Sequence, residues 1–295
     1  MNISKSHLVI YFVMFVACAI SCNKNEEDIQ KNNSVPSVET IYATTASYCQ
    51  AGLKGKITNK GGSEIIKQGF CYSKTPNPTI EQSSTILATN TTSLDIELQP
   101  KIFSEATTYY IKAFAVNSDG VGYGQELTFK THGWIGPGGG VVFYDKGYYS
   151  NGWRYIEAAT KTIPDKTIWV QWGSTGLLIK GASSDSMGSG YENTKDMISA
   201  NLKKDPGSAL LMNDLIMNYS NNGFRDWYIP SVRECEIALR NIRFTNNNLP
   251  EIYRQGGFST SVQINSLEYY CYDQIIGKVA SKKDRGLYIW PMRRF

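Results

Sequence analysis

Apolar and polar residues alternate in short runs over residues 35–131, and glycine, asparagine, proline and aspartate interrupt these runs. Such alternation places every second side chain on the buried face of a β-strand. Two rows predicted to face inward are Ala51, Leu53, Gly55 and Ile57, and Tyr109, Ile111, Ala113 and Ala115. Tyr110, Lys112 and Phe114 are predicted to face outward. About seven strands in a segment of this length predict a β-sandwich of two sheets.

Residues 132–295 mix strand and helix patterns, which predicts an α+β domain. Helical spacing of apolar residues predicts helices over 193–203, capped by Asn193 or Thr194, and over 207–219. A third helix is predicted to begin at Ser231, because Glu234 follows at the spacing of a capping box.

The glycine-rich run at 136–140 precedes an apolar strand that is predicted to form a hairpin with residues 152–158. A phosphate-binding loop would need a Lys-Ser/Thr pair and a following helix, and the run has neither. We therefore interpret it as a tight turn in which glycines permit close backbone approach.

The N-terminus has the features of an export signal. Lys5 precedes an apolar stretch from Leu8 to Ile20, which is too short to cross a membrane as a helix. Small residues before Cys22 resemble a lipobox, which implies cleavage after residue 21 and lipid attachment to Cys22. The alternatives are an uncleaved membrane anchor and an ordinary secretory peptide.

Residues 22–34 are polar and charged, and we interpret them as a flexible acidic tether. An acidic run beside an acylated cysteine resembles the surface-export signal of Bacteroidetes lipoproteins, although such a run is also typical of a plain linker. The expected location is the outer membrane, with the chain lipid-anchored and exposed at the cell surface.

Four cysteines remain for the folded segments, two in each. Within-domain pairing would give Cys49–Cys71 and Cys235–Cys271 as disulfide bonds, while the alternative is that each cysteine is a small core residue. His7 and His132 are the only histidines. This scarcity argues against His-based metal sites and catalytic triads, so no metal, no cofactor and no enzymatic activity are predicted.

Several motifs in residues 35–131 are similar to fibronectin type III-like modules of Bacteroidetes surface proteins. They are the runs at 68–73 and 76–78, the Tyr-rich strand with its Asn-Ser-x-Gly turn at 107–120, and the closing strand at 122–124. The resemblance implies a spacer or interaction module without chemistry of its own.

Three separated motifs in residues 132–295 resemble one further family, namely 223–231, 257–261 and 289–295. The family is the C-terminal domain of the Lcl adhesin, also known as the domain of unknown function DUF1566. The resemblance implies a C-type lectin-like fold related to formylglycine-generating enzymes. Phe258 departs from the family's usual Tyr-Trp pair, and Cys271 lies in a divergent stretch, so the binding surface is expected to differ.

Two sets of residues are candidates for special roles in this fold. A ligand groove is expected to use the flat aromatic faces of Trp169, Trp172, Tyr191 and Tyr272. A buried ion-pair or hydrogen-bond network is expected to tie the chain's end to its centre through Asp226, Trp227, Arg293 and Arg294.

The leading functional hypothesis is a non-catalytic adhesion or binding protein directed at glycan. Residues 132–295 contain 19 Lys or Arg and 15 Asp or Glu. This excess of four positive charges suits an acidic polysaccharide but is too small and too dispersed for a nucleic-acid footprint. One alternative is an assembly subunit that binds a surface protein partner. Another is an oxidase using Cys235 and Cys271, which the apolar setting of Cys235 disfavours.

Overall fold

The computed structural model describes residues 33–164, 170–201, 211–242 and 257–295. The proposed signal peptide, Cys22 and the tether up to residue 32 lie outside the described residues. The chain is β-rich, with fourteen strands and three helices in the described residues. Within the same ranges, no helix has the length and apolar character needed to cross a bilayer.

The first eight strands belong to residues 37–130. They are β1 (Ser37–Thr45), β2 (Ala51–Asn59), β3 (Lys67–Ser73), β4 (Ser84–Leu87), β5 (Asp95–Leu98), β6 (Thr108–Asn117), β7 (Gly120–Tyr123) and β8 (Leu127–Lys130). One sheet has the order β1-β2-β5, and the other has the order β4-β3-β6-β7 with β8 also paired to β6. Leu53 and Ile57 of the first sheet share a hydrophobic core with Phe70 and Ile111 of the second.

The alternation predicted for β2 and β6 is confirmed. Every residue of their two inward rows is buried. The prediction for Phe114 is wrong, because this ring is fully buried. Phe114 lies in the interior of its sheet, opposite Gly69 of β3 and Tyr123 of β7. Strand periodicity alone does not reveal that the outward face of the sheet is also covered at Phe114.

The described residues between 141 and 294 form two further sheets and three helices. The strands are β9 (Val141–Ser150), β10 (Trp153–Ala158), β11 (Gly257–Gln263), β12 (Glu268–Asp273), β13 (Gly277–Lys282) and β14 (Met292–Arg294), and the helices are α1 (Ser189–Asn201), α2 (Met212–Asn218) and α3 (Val232–Asn241). The sheet orders are β14-β10-β9 and β11-β12-β13. Every residue of β11 is buried, and α3 packs against β9, β11 and β12.

The predicted hairpin corresponds to β9 and β10, which pair antiparallel. Helix α1 begins four residues before the predicted start, so Asn193 and Thr194 are not caps. Both residues lie within the helix rather than at its start, and their side chains are buried. Asn193 donates hydrogen bonds to the Ser184 carbonyl and the Ser261 hydroxyl, and Thr194 receives one from the Ile229 amide. The predicted capping box of α3 is confirmed, with Ser231 as its N-cap.

His132 lies between β8 and β9 and is almost fully buried. Its carbonyl accepts a hydrogen bond from the Ala106 amide, 2.9 Å away, which ties it to the preceding loop. Neither ring nitrogen has a hydrogen-bond partner in the described part of the chain. Burial lowers the pKa of His132 to about 4, against a weaker opposing effect of Asp145.

This pKa predicts an acid-sensitive fold. Between the unfolded pKa of about 6.5 and the folded one, the unfolded chain binds a proton that the folded chain does not, so stability falls as pH falls. The loss approaches about 3 kcal/mol near pH 4. Urea unfolding at pH 7 and pH 4.5 measures it. His132→Leu should lose less stability than wild type over this interval, and an equal loss would show that His132 is not responsible.

Candidate functional site

The glycine-rich turn wraps around a carboxylate of the chain itself. The amides of Gly138 and Gly140 donate to the two carboxylate oxygens of Glu157, at 3.0 and 2.9 Å. A Cβ at Gly138 would lie 2.6 Å from that carboxylate and 2.8 Å from the Trp227 ring, so only glycine fits. Successive amides in such a turn form an anion-binding concavity. Here its anion is Glu157, which agrees with the interpretation as a turn rather than a phosphate loop.

Arg293 completes this buried cluster. It lies directly opposite Glu157 in the β10–β14 pairing, and its Nη1 donates to Glu157 at 2.9 Å. Its Nε donates to Asp226 at 2.6 Å, and its guanidinium carbon is 3.8 Å from the Phe224 ring centroid. Glu157 and Arg293 are buried, whereas Asp226 is about half-exposed. The pair therefore ties the last strand to the middle of the sheet.

Sequence reasoning paired Asp226 with Arg293 but missed Glu157. The signal was a single acid in the otherwise apolar end of β10, next to Ile156 and Ala158. Trp227 contributes by packing: it is buried edge-on against Tyr219. Its indole N–H has no acceptor in the described residues.

A second buried carboxylate, Glu234, joins the starts of α1 and α3. It accepts hydrogen bonds from the amides of Gly188, Gly190 and Ser231 and from the Tyr228 hydroxyl, at 2.7 to 3.2 Å. Burial raises the pKa of Glu234, although the hydrogen bonds from Ser231, Tyr228 and Gly188 oppose that rise. The capping box is therefore also a tertiary junction, which the local spacing alone did not indicate.

Of the four aromatic residues predicted to bind ligand, Trp169 lies outside the described residues, and its prediction stays untested. Trp172 is fully buried, stacks on Tyr269 with 5.1 Å between ring centroids, and donates its indole N–H to the Thr260 carbonyl. Trp172 is thus a core residue, and its prediction as a ligand contact is corrected here, because no face of the ring reaches solvent.

Tyr191 supports Arg294 rather than presenting an open ring. The Arg294 guanidinium carbon lies 4.0 Å from the ring centroid, and the ring meets Tyr228 edge-on. Arg294 also donates to the Gly188 carbonyl and to Glu192, at 2.9 and 2.7 Å. Arg294 was predicted to join the buried network of Arg293. It instead forms a separate and more exposed cluster with Tyr191 and Glu192.

Tyr272 is half-buried and lines an open groove of about 320 Å³ between α3 and the end of β12. The other lining residues are Glu236, Leu239, Arg240 and Gln274. The groove combines an aromatic ring, an aliphatic side chain and polar groups that both donate and accept hydrogen bonds. Small-molecule sites use this combination, in which apolar surface provides contact and a few polar groups provide orientation.

A second aromatic surface lies at the end of the β9–β10 hairpin and was missed by sequence reasoning. Tyr148 and Tyr149 are 66% and 70% exposed. Successive strand residues point to opposite faces, so this end of the hairpin has solvent on both sides. Arg154 of β10 pairs with both oxygens of Asp145 of β9, at 2.8 and 2.9 Å, and this ion pair joins the two strands. Within β9, Lys146 donates to the Ser150 carbonyl beside the turn.

Neither a protein-family model nor a curated protein matches the chain. Among solved structures, it is similar to the sensor domain of the anti-sigma factor RsgI4 from Pseudobacteroides cellulosolvens. The match has 23% identity and a TM-score of 0.24, and it covers 33% of this chain and 95% of that one.

The cysteines do not form the predicted disulfide bonds. Cys49, Cys71, Cys235 and Cys271 are all free thiols. The Cys71 thiol donates instead to the carbonyls of Pro78 and Lys112. Burial raises the pKa of both Cys235 and Cys271, which keeps these thiols protonated at neutral pH. The described residues contain no group of three or more His, Cys, Asp or Glu side chains placed to hold a metal ion.

Proposed function

We propose that this chain is a non-catalytic binding protein whose C-terminal part holds a glycan in the groove beside Tyr272. The observation that carries the proposal is the composition of that groove, since a tyrosine ring can stack on a sugar while Glu236, Arg240 and Gln274 bond its hydroxyls. An acidic polysaccharide would also match the net positive charge of the chain.

The proposal includes the organisation and location expected from the sequence. Residues 1–21 are a lipoprotein signal peptide, and lipid on Cys22 anchors the tether of residues 22–34 to the outer membrane. Residues 35–131 are a fibronectin type III-like sandwich, a view supported by two sheets that share one core. Residues 132–295 are a C-type lectin-like domain, supported by helices packed on short antiparallel sheets.

Substitution of Tyr272 tests the groove. The full chain is screened against neutral and acidic oligosaccharides, and the best one is titrated by calorimetry. Tyr272→Ala should weaken binding roughly tenfold, since aromatic residues central to an interface contribute most of its affinity. Tyr270 lies two residues away on the same strand face, but Lys278 covers its ring at 3.8 Å. Tyr270→Ala is therefore the matched control and should leave the affinity unchanged.

Two outcomes would contradict the proposal. Equal loss in both variants would place the site outside the groove. Absence of binding to every oligosaccharide in the panel would exclude glycan as the ligand and favour the second candidate function.

That second candidate is contact with a surface protein, and the exposed pair Tyr148 and Tyr149 favours it. Tyrosine is enriched among residues that dominate protein interfaces. A protein partner should then co-purify with the full chain from outer membranes. The double variant Tyr148→Ala, Tyr149→Ala should lose it, while Tyr272→Ala should retain it.

A further inference from the structure

The chain contains two Asn-Gly dipeptides, Asn151-Gly152 and Asn222-Gly223. Both form two-residue turns with nearly the same backbone, in which φ is 51° and 79° at the first turn and 47° and 81° at the second. Positive φ at both positions is typical of the type I′ turn that Asn-Gly favours. An added Cβ would meet nothing within 4 Å at either glycine. The two sites are thus matched in sequence, backbone conformation and open surroundings.

They differ in how the asparagine side chain is held. The amide nitrogen of Asn222 donates to the Pro137 carbonyl at 2.6 Å, and Asn221 and Phe224 close the turn with a pair of backbone hydrogen bonds. The turn therefore rests on the glycine-rich turn that holds Glu157. The Asn151 amide, by contrast, makes no side-chain hydrogen bond to any described residue. Its turn is the tip of the hairpin whose Tyr148 and Tyr149 have solvent on both sides.

We infer that Asn151 is a site of spontaneous covalent modification, by deamidation through attack of the Gly152 amide nitrogen on the Asn151 side-chain carbonyl. The attack forms a C–N bond and a five-membered succinimide. The C–N bond to the side-chain nitrogen breaks, and this nitrogen leaves as ammonia with the proton of the glycine amide. Water then opens the ring at either carbonyl to yield aspartate or isoaspartate. No oxidant, reductant or enzyme takes part.

The reason for selectivity is the cost of opening each turn. A left-handed turn does not bring the glycine nitrogen onto the side-chain carbonyl, so the local backbone must first rotate. Such local opening is easiest where few contacts are lost. At Asn222 it breaks the hydrogen bond to Pro137, whereas at Asn151 no side-chain hydrogen bond to the described residues is lost.

The product would alter the hairpin tip. It adds one negative charge beside Lys146, and the isoaspartate form adds a methylene to the backbone. Since a two-residue turn depends on matched backbone geometry, the isoaspartate form would displace Tyr148 and Tyr149 relative to each other. Ageing of the protein would thus change the most exposed aromatic surface of the described residues without touching the groove at Tyr272.

Peptide mapping of the intact full chain tests this inference. The protein is incubated at neutral pH and 37 °C, and conversion at each asparagine is followed by tandem mass spectrometry. Asn151 should convert roughly fivefold faster than Asn222 or more, the factor that one net hydrogen bond contributes to an opening equilibrium. In urea the two rates should become equal, because both dipeptides then lack tertiary contacts. The variant Asn151→Gln should abolish the fast conversion while Asn222 behaves as before.

Each contrary result is decisive. Equal rates in the folded chain would overturn the inference, as would conversion at Asn222 alone. Absence of conversion at Asn151 in the folded chain, with conversion in urea, would show that the native turn protects it. If Asn151 still converts faster than Asn222 in urea, the difference comes from the neighbouring sequence rather than from the fold.

Discussion

Arg293→Met should lower the free energy of unfolding by about 3–5 kcal/mol, as expected when one partner of a buried ion pair is removed. The substitution keeps most of the side-chain volume but leaves the Glu157 carboxylate buried without its cation. The two glycine amides remain as donors, and they do not neutralise a charge. Chemical denaturation at neutral pH, followed by intrinsic tryptophan fluorescence, measures the change.

Arg294→Met is the matched control for this prediction. It removes the neighbouring arginine, whose carboxylate partner Glu192 is 56% exposed. Exposed ion pairs contribute about 0–1 kcal/mol, so the loss should be several-fold smaller. Similar losses in the two variants would mean that the buried Glu157–Arg293 pair contributes no more to the free energy of unfolding than an exposed ion pair does.

Glu234→Ala should be comparably severe, at about 4 kcal/mol, because it leaves four donors without the acceptor that they share. Three of them are backbone amides at the starts of α1 and α3, and the fourth is the buried hydroxyl of Tyr228. Hydrogen exchange should therefore show faster opening at the start of α1 as well as at the start of α3. Loss of protection in α3 alone would identify Glu234 as a local cap only.

Glu236→Ala on the same helix provides the comparison. Glu236 pairs with Arg233 and Arg240, at 2.7 and 2.6 Å, on the outer face of α3. Both pairs are partly exposed, so the expected cost is about 1 kcal/mol or less. A cost equal to that of Glu234→Ala would contradict the distinction drawn between the two glutamates.

Sequence patterns were most informative where a local rule acts by itself. The spacing of Ser231 and Glu234 located the start of α3, because a capping box is formed by residues three positions apart. Alternation likewise assigned the inward rows of β2 and β6, since the side chains of a strand point to opposite faces by geometry. The same rules failed at the start of α1, where the helix end is stabilised by Glu234 from a distant segment.

Identifying the candidate site required tertiary information. Trp172 and Tyr272 are both aromatic and were both predicted to contact ligand, yet one is fully buried and the other lines a groove. Side-chain exposure depends on which segments pack over a residue, and local sequence does not encode that packing. Tyr148 and Tyr149 were overlooked for the same reason, since only the projection of the hairpin leaves both faces in solvent.

The sequence by itself determined the β-rich character of the chain and the start of α3. It also indicated that Asp226 and Arg293 have a structural role. These depend on periodicity, on caps and on pairing of opposite charges, which operate over short distances or between few residue types. Only the tertiary structure decided that Glu157 is the partner of Arg293, that the cysteines are unpaired, and that Trp172 belongs to the core. Each depends on long-range contacts, in which the free energy of burial and the available hydrogen-bond partners select one arrangement among many that the sequence allows.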